Sequence, residues 1–107
     1  MATTYKILGQ ITGSSATASL YTSPSATQTV VSSLVVSNRS TSNSSFWLAA
    51  IPSGDTLANK NWLAFATPIS ASDSIALTLG ITLAAGDFIQ VSGMATGSFS
   101  LFGSQIT

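Results

Sequence analysis

Residues 73–83 carry the strictest pattern in the chain. Ile75, Leu77, Leu79, Ile81 and Leu83 alternate with Ala76, Thr78, Gly80 and Thr82. A period of two is the mark of a β-strand with one buried face. Gly80 weakens the strand locally and marks a bend where it passes between sheets.

The rest of the chain repeats the theme in shorter pieces. No stretch shows sustained helical periodicity with a charged face. Residues 5–12 read as a strand, with Ile7 and Ile11 on one face and Lys6, Leu8 and Gln10 on the other. Gly13-Ser14-Ser15 reads as a turn, and residues 16–22 as a second strand. Pro24 ends it, because proline lacks the ladder donor. Residues 28–38 carry valines and a leucine on both faces, the pattern of a central strand.

Residues 39–45 form a polar loop. The apolar run 46–51 reads as a buried strand, closed by the turn Pro52-Ser53-Gly54-Asp55. Residues 57–59 are a short helical turn or irregular. Strands follow at 60–67, 73–83, 88–94 and 98–102, with turns at 85–87 and 93–97. The expected fold is all-β: a single-domain antiparallel β-sandwich over 1–107, with seven or eight short strands, jelly-roll-like or immunoglobulin-like. Whether residues 1–28 are a strand of this sandwich or an arm reaching a neighbour is left open by the pattern.

Composition removes most chemistry. The chain of 107 residues has no His and no Cys. A Ser-His-Asp triad, a cysteine nucleophile and a zinc site of the usual ligands are therefore excluded. No disulfide can form. Charged residues make up 6%, against roughly 25% in ordinary soluble domains. Three scattered cations, Lys6, Arg39 and Lys60, supply no basic face for nucleic acid. No apolar run has the length of a membrane span, and residues 1–10 hold no signal-peptide core. The expectation is a soluble, non-enzymatic domain with no cofactor, no metal, no nucleic-acid partner and no membrane. About a third of the chain is Ser or Thr. With so few charges guarding its edges, such a chain associates readily.

Asp55, Asp73 and Asp87 each sit beside turn residues. A carboxylate pair or a calcium site is conceivable for them, but local turn bonding is the favoured reading. Arg39 is read as a partner anchor or as an intramolecular pair with Asp73 or Asp87, with a slight preference for the latter. Phe46, Phe65 and Phe99 fall in phase with inward neighbours and read as core. Tyr21, Trp62, Phe88 and Phe102 fall out of phase with theirs. An aromatic on the second face of a sandwich strand meets water or a partner. These four, with Arg39, are the candidate interface residues, although strand ends curled under loops would also cover Tyr21 and Phe102. Trp47 stays unassigned.

The segments Leu34-Val35-Val36-Ser37-Asn38-Arg39, Leu57-Ala58-Asn59-Lys60-Asn61-Trp62-Leu63-Ala64 and the run from Ile75 to Ile89 resemble small virion structural proteins of tailed bacteriophages. The closing Ser98-Phe99-Ser100-Leu101-Phe102-Gly103 is similar to them as well. The resemblance implies a head decoration (cement) protein, or a small tail, neck or fibre component. It implies a homotrimer seated on the major capsid protein lattice at the virion surface, made in the host cytoplasm. It fixes no binding residue. A carbohydrate-binding module using Trp62 or Trp47 as a stacking platform is the rival from another class.

Overall fold

A computed structural model describes residues 2–107, and of Ser15 the backbone alone. Six strands make one antiparallel sheet: β1 (Thr3–Thr22), β2 (Gln28–Asn38), β3 (Ser44–Ile51), β4 (Trp62–Ile69), β5 (Ser74–Leu83) and β6 (Phe88–Ile106). The order is β4-β3-β6-β2-β5, with β1 on β6. The long strand β6 serves both ends of that order. Its residues 88–92 pair with β3, and residues 97–106 pair with β2. Along its other side runs β1, from Thr3 opposite Ile106 to Thr22 opposite Phe88.

The sheet therefore folds on itself where β1 and β6 bend. One layer is β4-β3-β6-β1, using residues 88–92 and 18–22 of the long strands. The other is β5-β2-β6-β1, using residues 97–106 and 3–12. The shortest dimension of the molecule is 19 Å, the thickness of two sheets packed about 10 Å apart with their side chains. The all-β sandwich expected from the sequence is what the chain forms.

Two strand pairs read from the sequence are continuous. Residues 5–12 and 16–22 belong to β1, and 88–94 and 98–102 belong to β6. The glycine-rich stretches taken as turns are the corners. Register jumps there: Thr12 faces Ser98, but Ser14 faces Gly93 and Ala18 faces Val91. Gly93 has φ of 100°, and a Cβ on it would lie 2.6 Å from the Ser45 carbonyl oxygen. A Cβ on Gly13 would collide with the carbonyls of Gly93 and Met94. Backbones cross so closely at the corner that only glycine fits.

Phe46, Leu48, Ile89 and Val91 from the first layer meet Val31, Leu34, Val36, Phe99 and Leu101 from the second, all buried. The rings of Phe46 and Phe99 pack edge to face with centroids 6.3 Å apart. β2 lies between β5 and β6, as a strand apolar on both faces should. Ile75, Leu77, Leu79 and Ile81 of β5 pack against the core but stay half-buried, because β5 is an edge. The register between β2 and β5 shifts opposite Leu79 and Gly80, a bulge at the glycine, but β5 pairs with β2 on both sides of it and does not pass between layers as expected.

Bulges overturn three face assignments. In β1 a shift between Ile7 and Gly9 sends Leu8 toward the core and leaves Ile7 52% exposed. A second shift, between Ser19 and Tyr21, buries both Leu20 and Tyr21. In β4, two shifts against β3 and a left-handed Ala66 (φ 51°) reverse the alternation. Phe65, assigned to the core from the sequence, is 66% exposed, and Ala64 packs inward in its place. One inserted residue moves every later side chain to the opposite face.

Candidate functional site

Of the five candidate interface residues, the structure brings Trp62 and Phe88 to one surface. That surface is the outer face of the β4-β3-β6 layer. Trp62 lies opposite Ala49, which lies opposite Gln90; Phe88 lies opposite Ile51. Both aromatics are half-buried. Phe102 also faces outward, but on the other layer, opposite Ile7.

Tyr21 is a correction. It is buried, and its hydroxyl is held by Thr29 at 2.8 Å and by the Gln105 amide at 2.7 Å. The bulge before it turns the ring inward, so it presents nothing to a partner. Arg39 stands exposed after β2. Its Nη2 donates to the Gly97 carbonyl at 3.4 Å. The preferred pairing with Asp73 or Asp87 does not form: among the described residues the one salt bridge is Lys60–Asp55 at 3.6 Å, between exposed groups.

The outer face of β3 and β4 holds a cluster that the pattern hid. Phe65 stands between two tryptophans, edge to face with each. Its centroid is 6.2 Å from that of Trp47 and 5.5 Å from that of Trp62. Contacts of this kind contribute about 0.5–1.5 kcal/mol each. With Phe65 66% exposed, the three rings make an apolar patch. Trp47 shares it because β3 is apolar on both faces and its odd positions point outward here. The connection 52–61, with a 3-10 turn at Asn59–Asn61, folds beside the patch and is pinned by Asn61. That buried side chain accepts from the Ala58 N–H at 2.7 Å.

The aspartates behave as turn residues. Asp87 accepts from the Ser53 N–H at 2.8 Å and the Ala84 N–H at 2.9 Å. Asp73 accepts from the N–H of Ser74 at 2.8 Å. Among the described residues no group of three acidic side chains gathers as a metal would need. A surface depression of about 360 Å³ lies between Ala26, Gln28, Ala84 and Ile106, and its lining carries no ionisable side chain. No helix among the described residues is long and apolar enough to cross a membrane.

Comparison with known proteins finds no family model that matches the chain and no curated protein similar to it. The aromatic patch is thus the surface on which a functional reading has to stand.

Proposed function

We propose that this chain is a non-enzymatic virion structural protein of a tailed bacteriophage. In this reading it is a head decoration protein that docks as a trimer on the assembled major capsid lattice. The observation that carries the reading is the patch of Trp47, Trp62 and Phe65 on the outer face of a nearly uncharged sandwich. Exposed aromatics on a rigid sheet are the usual anchors of a protein interface. The resemblance of residues 34–103 to small phage virion proteins points the same way.

The mechanism is mechanical. A copy that binds neighbouring capsid subunits only when they are assembled stabilises the assembled state by mass action. A trimer touching several subunits gains effective concentration for its later contacts. Such contacts are apolar and hydrogen-bonded, so salt screens little of them.

The test is attachment of the purified protein to stripped capsids across a salt series, with copies counted per particle. Saturation at hundreds of copies, unchanged up to several hundred millimolar salt, is the expected result. Saturation at a few copies moves the protein to the tail, neck or a fibre. Loss of attachment at modest salt overturns the apolar interface.

The same aromatic cluster favours one second reading, a carbohydrate-binding module, since sugars stack on exposed rings. A glycan array separates the two: specific glycan binding abolished by Phe65→Ala would replace the capsid reading.

A further inference from the structure

Three strand stretches expose an unpaired edge in this fold: β4, β5 and β1. An open edge offers a row of backbone donors and acceptors to any strand that reaches it, and folded chains blunt it with charge, proline or bulges. The β4 edge is blunted by Pro68 and by the left-handed Ala66. The β5 edge carries no charge and no proline across Ser74–Leu83 and is interrupted only by the bulge at Leu79 and Gly80. At the opposite edge of the same layer, residues 3–12 of β1 carry one charge, Lys6, and one bulge, at Leu8. The lysine ammonium is drawn toward Gln105 of the neighbouring strand at 3.5 Å.

Large side chains stand unmatched on that same β1 stretch. Tyr5 is 84% exposed and Ile7 52%. The cross-strand rows show where they face. Tyr5 lies in a row with Ser104, Val30 and Thr82; Ile7 lies in a row with Phe102, Ser33 and Thr78. The outward face of this layer is thus bulky at its β1 edge. It is small at its β5 edge, where Ala76, Thr78, Gly80 and Thr82 are exposed.

We propose that the β5 edge of one copy pairs with residues 3–12 of β1 from a second copy. Four features favour this contact over β5 against β5. Alternating antiparallel neighbours across the layer leave β5 running opposite to β1, so the ladder continues with correct polarity. The two stretches match in length. Tyr5 and Ile7 of one copy come to lie beside the small outward row of the other, the large-beside-small arrangement that cross-strand packing favours. One contact also covers both open edges, whereas a β5 pair leaves Tyr5 and Ile7 in water. The added strand further shields the half-buried Ile75, Leu77, Leu79 and Ile81. A head-to-tail contact of this kind closes into a ring when its rotation permits. The proposal stands on the edges and does not depend on the virion reading.

The chain has no cysteine, which makes the test clean. Gln10→Cys on β1 and Thr78→Cys on β5, both on the outward face, are prepared as separate full-length variants and treated with a short bismaleimide. Linked dimers are expected in the mixture of the two and not in either variant alone. Linkage within Thr78→Cys alone indicates β5 against β5 and overturns the proposal. No linkage in the mixture overturns it too. Light scattering supplies a second readout. The unmodified protein is expected at a fixed multiple of 10.9 kDa, falling to the single-chain mass in Thr78→Lys with its far-ultraviolet circular dichroism unchanged. A single-chain mass for the unmodified protein at every concentration overturns the contact.

Discussion

The phenol oxygen of Tyr21 and the hydroxyl of Thr29 lie 2.8 Å apart inside the sandwich, where Thr29 has no exposure at all. Their bond has one direction. Ser23 donates its hydroxyl hydrogen to the Thr27 carbonyl at 3.1 Å, so the Ser23 oxygen accepts from Thr29 at 2.9 Å. Thr29 must then accept from Tyr21, which itself accepts from the Gln105 amide at 2.7 Å. The relay ties β1, β2 and β6 at one end of the fold, and every member is satisfied.

Removing the phenol oxygen strands both neighbours. Tyr21→Phe leaves the Gln105 amide without that acceptor and the Thr29 oxygen without its donor. A loss of about 1–3 kcal/mol is expected, because buried polar groups left unpaired bear their full desolvation cost. Urea unfolding monitored by tryptophan fluorescence measures it. Unchanged stability would show that the relay holds no strand in place.

Asn38 is the second buried polar hub. Its amide donates to the carbonyls of Ser42 at 2.9 Å and Ser70 at 3.1 Å, and its oxygen accepts from the N–H and hydroxyl of Ser40. One side chain thus fastens the β2–β3 and β4–β5 connections together. Asn38→Ala is expected to cost at least about 2 kcal/mol. Asn38→Asp is expected to cost more, since a carboxylate would face carbonyl oxygens. The same urea titration ranks the two.

The corner glycine separates two penalties. Gly54 (φ 85°) has open space around its Cβ position, whereas Gly93 (φ 100°) has the Ser45 carbonyl and the Trp47 ring against it. Gly54→Ala is expected to cost about 1 kcal/mol from backbone strain alone. Gly93→Ala adds a collision with backbone and is expected to lower the thermal midpoint several times further. Equal shifts in a calorimetric scan would refute the close crossing.

Phe65 and Phe99 test patch against core. Phe99→Ala should cost about 3–5 kcal/mol as a buried aromatic truncation. Phe65→Ala should cost about 1–3 kcal/mol, the two edge-to-face contacts it removes, and weaken whatever the outer face binds. A Phe65→Ala loss as large as that of Phe99→Ala would mean the patch is part of the packing, not a surface for partners.

Strand positions, turns and most of the core were legible from alternation. β5 shows why: its five apolar residues keep one register until Gly80, and all five face inward. What the pattern could not carry was the bulges. Nothing in Trp62-Leu63-Ala64-Phe65-Ala66 announces the extra residue at Leu63 between Trp62 and Ala64, which puts Phe65 on the same face as Trp62. Trp62 reads outward and is outward, but beside Phe65, which phase alone separates from it, and Trp47, which phase leaves unassigned. The pattern also could not tell a corner from a turn. Gly13 and Gly93 are rich in turn signals, and only the pairing of β1 with β6 along their whole lengths shows that the chain passes through them without reversing. Pro68 lies inside β4 rather than after it, tolerated there because that strand is an edge.

The sharing of β1 and β6 between both layers has a consequence for synthesis. β1 leaves the ribosome first, and its partner comes last of the six strands. At roughly 5–20 residues per second, β1 spends several seconds as nascent chain with nothing to pair with. Neither layer can close before β6 arrives, because each contains part of it. Melting should for the same reason be a single transition, with no half-sandwich surviving. A strand that must wait so long in water is better built from hydroxyls than from leucines, and Thr3, Thr4, Thr12, Ser14, Thr17, Ser19 and Thr22 are what β1 offers.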